Sequence, residues 1–397
     1  MPLDFSQLAA RIDEMAVRTR ASGRGREERL RRAVELLESA DADALISKLA
    51  SSNTFWPVAG IIDGLARRCK HSSCPEEYTA VAVDGSHIDV DRHNSTRFYL
   101  INTGSAVIRY GANPDAQLSS EAALFFGDDL AITDPSNGRK DLIEGALLGV
   151  RRSIAECRAL ADIASQLPED RSTIALLDGS LVLWGLTPRD YEGYIREELL
   201  DRGYLGSFDI MKRRSVTGNF ALAGYVSFPR SADVVNALRV LLCAHEAADC
   251  ERCRAEGRER ECEALADIQD SDLFDRLLEE GERSDIFLSG SKFVRKYYGE
   301  HQIYFFYLKV EDETARIEVP QWVAERAEIV DLVHALVLDQ CRRGQGYPVA
   351  LMEAHEKAVV TAADREAFNR LVEQSLASEG ITSRSSGKSL SKRGRWV

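Results

Sequence analysis

Twice in this sequence an apolar run ends in the same tripeptide. Val81-Ala82-Val83 leads into Asp84-Gly85-Ser86, and Ala175-Leu176-Leu177 leads into Asp178-Gly179-Ser180. A short, unbroken apolar run bounded by turn residues reads as a strand buried in a sheet. Ending such a strand in Asp-Gly sets a carboxylate at the sheet edge, beside a residue whose backbone can turn away and leave room for a substrate or ion. If both strands are central and parallel, the two carboxylates converge on one cation, and hard cations such as Mg²⁺ prefer oxygen ligands. Asp-Gly is also a common turn pair, so the alternative is two ordinary turns.

The surrounding pattern is mixed α/β. Residues 1–50 read as a helical hairpin, with Leu8, Ile12 and Met15 on one face and a charged, Arg-rich break before a second amphipathic run. Tyr78 to Val83 reads as a strand that stops at Asp84. RFYLINTG and AVIRYG read as two strands joined by a turn at Gly104-Ser105. A helix over 140–166 precedes the Asp178 strand, and Pro188 opens another helix to about Leu200. FALAGYVSFP reads as a strand, HQIYFFYLKV and TARIEVP as a hairpin, and residues 321–343 and 363–377 as helices. In IYFFYL the adjacent Phe305 and Phe306 cannot both face one core, which points some rings toward an interface or a stacked base.

This pattern sets the expected domains: an N-terminal helical arm over 1–70, a main domain over 78–377 interrupted by a charged, helical, cysteine-bearing insertion at 231–285, and a basic flexible tail over 378–397. In that tail Lys388, Lys392, Arg393 and Arg395 form the clearest basic cluster, readable as a solvated end or a DNA contact.

The formal net charge of -13 argues against general electrostatic coating of nucleic acid, which needs clustered Lys and Arg. A site that concentrates carboxylates to hold cations is compatible with it. No apolar run approaches the roughly 18–20 residues of a membrane span, and the acidic, amphipathic start does not read as a secretory signal. A cytoplasmic protein is expected, with its eight cysteines reduced or bound to metal.

VDGSHIDVDRH, LLDGSL, GYVSFPRS, RIEVPQW and GYPVALMEAHEKAVV follow one another in the order and separation of the NurA nucleases, and the chain resembles that family from about residue 78 to 377. The resemblance implies an RNase H-like α/β fold, a mixed sheet flanked by helices, whose strand-end carboxylates bind a divalent metal, Mn²⁺ with Mg²⁺ as the alternative. It implies metal-dependent cleavage of DNA, 5′–3′ exonucleolytic with single-strand endonuclease action, by a homodimer that processes DNA ends with a HerA-type hexameric ATPase. No GxxxxGK[ST] phosphate loop occurs, so a partner must supply ATP hydrolysis.

Residue by residue, Asp84 and Asp178 match the family's two strand aspartates. The family also has a glutamate on the helix before the second strand. Glu156 is the choice and Glu144 the competitor, since twelve residues span roughly 18 Å of helix and the two cannot share one site. Glu156 could equally be a surface glutamate facing Arg152 one turn earlier. Tyr347 and His355 match the family's late tyrosine and histidine, the imidazole serving as ligand or as acid–base on a phosphate oxygen. His87 is near Asp84. His71, His93, His245, His301 and His334 lack a supporting constellation.

Lys212, Arg213 and Arg214 are candidates for offsetting a DNA backbone, or a solvated loop. Arg316 could contact DNA or pair with Glu318. Cys243, Cys250, Cys253 and Cys262 fall within twenty residues, and Cys250-x-x-Cys253 has knuckle spacing suited to Zn²⁺ or an iron–sulfur cluster. Ordinary reduced thiols along a helix face are the alternative. Two other functions fit the pattern: a non-catalytic DNA-binding or scaffolding subunit of a motor, and an RNase H-like enzyme acting on RNA or hybrids.

Overall fold

The computed structural model describes residues 5–89, 97–188, 191–256, 260–311 and 313–381. His93 and the basic residues Lys388, Lys392, Arg393 and Arg395 lie outside them. The chain divides into two compact units, Met1–His71 with Val226–Glu318 and Ser72–Tyr225 with Val319–Val397.

The second unit carries both tripeptides. Its strands are β1 (Tyr78–Ile88), β2 (Phe98–Tyr110) and β3 (Asp115–Phe126), followed by helix α1 (Ala146–Gln166), strand β4 (Ser172–Asp178), helix α2 (Gly206–Thr217) and strand β5 (Phe220–Val226). Helices α3 (Ala327–Arg343), α4 (Val349–Ala358) and α5 (Ala362–Ser378) complete it. The strands lie in the order β3-β2-β1-β4-β5. The first three form an antiparallel meander, while β4 runs parallel to both β1 and β5. This is a mixed sheet flanked by helices, the α/β class that the resemblance implies.

The apolar runs fall where their composition requires. Thr173 to Leu177 and Tyr78 to Val83 are buried without interruption, as central strands covered on both faces must be. Helix α1 turns Leu147, Val150, Ile154, Cys157, Leu160 and Ala164 inward at helical spacing.

Several boundaries differ from the sequence expectation; the helix expected from residue 140 begins only at Ala146, because Lys140–Leu142 form a short strand. Strand β1 does not stop at Asp84 but runs to Ile88; its pairing with β4 ends at Val83↔Leu177, while pairing with β2 continues. Asp84 thus sits where one flank of the strand opens. Gly104 is not a turn but the middle of one thirteen-residue strand. A Cβ there would lie 2.3 Å from the Ala354 carbonyl oxygen and 2.3 Å from the Ala358 nitrogen, so glycine admits the backbone of α4. The edge strand β3 carries no buried face to mark it in the sequence, since eleven of its twelve residues are exposed. The basic run at 212–214 belongs to helix α2, not a loop.

In the first unit, the Arg-rich stretch does not break the helix, which runs from Phe5 to Ser39. Arg31 pairs with Glu28 at 2.6 Å and Glu35 at 2.9 Å, pairs that favour helix across charged sequence. The hairpin instead turns at Asp41, which caps Ala42–Ser51 by accepting from the Asp43 and Ala44 N–H groups.

Leu30, Leu37 and Leu45 share one core with Val234, Leu238, Phe274 and Phe287. The N-terminal helices and residues 231–285 therefore share one core within this unit, each burying its apolar face against the other and against Phe305 and Tyr307. Phe305 and Phe306 are both fully buried, so this strand is covered on both faces and neither of the two adjacent rings is left for stacking. Arg316 is buried too, its Nε 2.9 Å from Glu318 and its Nη1 3.1 Å from Asp233, and its guanidinium lies 3.5 Å from the Phe305 ring centroid.

Among the described residues no helix is long and apolar enough to cross a membrane.

Candidate active site

Strands β1 and β4 are parallel and paired through Val83↔Leu177. Asp84 and Asp178 are the next residue of each, so their side chains leave neighbouring strands, about 4.8 Å apart, on the same face. That face is the one covered by α4, because Asp84 pairs with Gly104 across the antiparallel ladder. Beyond Asp178 the chain turns at Gly179, whose φ of +91° favours glycine.

Helix α4 delivers the histidine. His355 Nδ1 lies 2.7 Å from Asp84 Oδ2, and the imidazole is otherwise largely exposed. The helix's C-terminal end is tied to the sheet: Ser86 Oγ donates to the Ala358 carbonyl at 2.5 Å, and Asn102 Nδ2 to the same oxygen at 3.0 Å. Ser120 Oγ donates to Asn102 Oδ1 at 3.0 Å and holds that amide in orientation. Ser86, Asn102 and Ser120 lay outside the sequence reading, since nothing local marks a polar strand residue that reaches a distant helix end.

The glutamate arrives from the other side. Glu156, on α1, is buried, and its pairing partner is Arg152 one turn earlier, with Nε 3.1 Å from Oε1. That contact lacks hydrogen-bond alignment, and Glu156 Oε1 is a buried oxygen with no hydrogen bond. The glycine beside Asp84 makes the approach possible, since a Cβ on Gly85 would meet Glu156 Oε1 at 2.6 Å. The room left by this glycine is filled by the third carboxylate.

The three carboxylates lie close enough to feel one another's charge. Burial above all, and then the charges of Asp84 and Asp178, push Glu156 up to about 8 against the pull of Arg152. Asp178 is raised by burial and by Asp84, opposed by a hydrogen bond from Tyr347 and by the charges of His355 and Arg152. Tyr347 therefore also meets the cluster; it follows a tight turn with Gln345 and Gly346 at positive φ, and its ring packs edge-on against Tyr225 at 5.3 Å.

Glu144 does not meet the cluster's geometry. It is an exposed partner of Arg97 at 3.4 Å. The basic run is divided: Arg214 is buried, with Nη2 donating to the Pro168 carbonyl at 2.9 Å and Nη1 3.4 Å from Glu169, whereas Arg213 is exposed and Lys212 half-buried. Arg214 thus serves the fold. His87 is half-buried and 3.4 Å from Asp89.

Asp84 and Asp178 at neighbouring strand ends, with the buried and unbonded oxygen of Glu156 nearby, offer donors of the kind a hard divalent cation prefers. The NurA domain matches residues 78–360, a span that holds Asp84, Glu156, Asp178, Tyr347 and His355. The chain belongs to the NurA family. No protein of curated description matches it. Among solved structures, LC9-RNase H1, a type 1 RNase H with the type 2 active-site motif, is similar at 12% identity and a TM-score of 0.22, covering 50% of this chain and 89% of its own. That likeness is too loose to carry an argument.

The packing at Gly104 gives a first test. Gly104→Ala is expected to lower stability by about 1–3 kcal/mol, the usual range for overpacking, and to reduce any activity that needs His355, because α4 must move to admit the methyl group. A denaturant melt indistinguishable from wild type would contradict this packing.

Proposed function

We propose that this NurA protein is a metal-dependent deoxyribonuclease that hydrolyses phosphodiester bonds with Asp84, Glu156, Asp178 and His355 around a divalent cation. What supports the reading is that Asp84 and Asp178 follow the last paired residues of two parallel neighbouring strands, and that buried Glu156 feels the charge of both. A cation held there would supply an acidified water and screen the phosphate charge.

The chain's own residues do the rest. Asp84 accepts from the imidazole of His355 and so fixes which ring nitrogen faces outward. With Nδ1 engaged, Nε2 is the position that can give or take a proton at a phosphate oxygen. Tyr347 donates to Asp178 and keeps that carboxylate from rotating out of the site. Arg152, beside Glu156, places one fixed positive charge at the edge of an otherwise acidic cluster. Exposed Arg213 and half-buried Lys212 are proposed contacts to the DNA backbone.

The finer reading follows the family: Mn²⁺ as the preferred ion, 5′–3′ exonuclease and single-strand endonuclease action at DNA ends, a homodimer, and a HerA-type ATPase as partner in the cytoplasm. Cleavage is expected to vanish in EDTA and to return with Mn²⁺ and, more weakly, Mg²⁺. Labelled single-stranded DNA, duplex DNA, RNA and hybrid assayed in parallel test the substrate. Cleavage that persists in EDTA would remove the metal from the proposal; preference for RNA or hybrid would replace DNA as the substrate; and no cleavage of any of them would leave a scaffolding subunit.

A further inference from the structure

Half of the cysteines in the chain, Cys243, Cys250, Cys253 and Cys262, lie in a stretch with little else to fold around. From 243 to 262 ten residues are charged, and the apolar side chains besides the cysteines are alanines alone. Such a segment has too little apolar surface to offset the entropy of ordering it.

Its backbone is nevertheless held at several points. Lys48 Nζ donates to the Cys243 carbonyl at 2.6 Å. The Cys250 N–H donates to the Asn53 carbonyl at 3.1 Å, and Arg239 Nε donates to the Cys262 carbonyl at 3.1 Å.

These anchors gather the side chains. All four cysteines line one small pocket, which encloses about 20 Å³ and is walled by Phe55 and Trp56. Arg239 closes it from one side, its guanidinium 3.9 Å from the Trp56 ring centroid. The four come from separate elements: Cys243 follows the helix Asp233–Leu241, Cys250 and Cys253 sit on the helix Cys250–Glu256, and Cys262 on the 3₁₀ turn Glu261–Leu265. A single helix face therefore does not account for them.

We propose that Cys243, Cys250, Cys253 and Cys262 are the ligands of a thiolate-bound metal centre, an iron–sulfur cluster or a single zinc ion, that staples this segment. Four thiolates supplied by separate elements are the donor set that both centres use. A bound centre would supply the ordering free energy that the composition lacks. The spacing, one Cys-x-x-Cys flanked by a single cysteine on either side, is nearer to a ferredoxin-type pattern than to the two paired knuckles of common zinc sites. This centre is independent of the carboxylate site.

The test uses the full chain purified without oxygen, with iron, inorganic sulfide and zinc measured per chain. Iron with matching sulfide identifies the cluster; one zinc per chain identifies the single ion; neither metal above trace overturns the proposal. Cys250→Ser with Cys253→Ser should lose the metal, whereas Cys69→Ser and Cys74→Ser should keep it; retention by the double variant also overturns it. If the double variant fails to fold, thiol labelling of the native wild type decides. Four thiols should react only as metal is released, and their immediate reaction without release would refute the centre.

Discussion

Asp84→Asn and Asp178→Asn are each expected to reduce DNA cleavage by about a thousandfold or more, while the melting transition stays close to that of wild type. The size follows from what is lost. Each substitution removes one of the carboxylates on the shared edge, and several kcal/mol of transition-state stabilisation by a bound cation goes with it, at tenfold in rate per 1.36 kcal/mol. The fold should survive, because both side chains sit where strand pairing stops and no core packing depends on them; Asn even relieves repulsion that Glu156 now feels. Asp84→Asn has a second effect, since it removes the carboxylate that orients His355 across their 2.7 Å contact. Glu144→Ala is the matched control and should cut normally, because Glu144 pairs with Arg97 away from the cluster. Wild-type turnover by either aspartate variant would remove the site from this part of the sheet.

The parts of this site that were legible in the sequence share a property: each is marked locally. Asp84 and Asp178 announce themselves because a buried strand and a breaking glycine are both visible within six residues. Helix α1 is legible from its period, and so is the reason to prefer Glu156, which lies nearer the strand it must reach. What stayed hidden depends on long-range packing. Gly104 reads as a turn because glycine more often frees a backbone than admits another one, and only the approach of α4 from 250 residues onward distinguishes the two. The buried Phe305–Phe306 pair reads as half-exposed because alternation cannot reveal a strand covered on both faces. Arg152 was visible only as a competing explanation for Glu156, yet the structure holds both relations at once. The N-terminal helices and the cysteine-bearing segment, far apart in sequence, look like an arm and an insertion because their shared core is assembled from pieces that are each incomplete.

Glu156→Gln should separate the stability of this site from its chemistry. In the folded chain the carboxyl is pushed up to about 8, from an ordinary 4.5, chiefly by burial. The metal-free folded state therefore keeps a proton that the unfolded state gives up. The stabilising effect of that proton is complete below about 4.5 and is lost as pH rises through about 8. Glutamine holds a neutral group of the same shape at every pH. Without metal, the variant should thus match wild type near pH 5 and exceed it increasingly toward pH 8 and above, by a few kcal/mol in order of magnitude. Divalent cations should reverse the ranking. Mn²⁺ binds the folded wild type and raises its melting temperature by mass action, whereas the variant, lacking the buried carboxylate, should gain little and should cleave DNA at least about a hundredfold more slowly. Melting curves at pH 5 and pH 8, with EDTA and with Mn²⁺, give all four comparisons. A variant no more stable than wild type at pH 8 in EDTA would show that Glu156 is not held protonated by its burial. A variant that gained as much from Mn²⁺ as wild type would show that the ion is held by other groups.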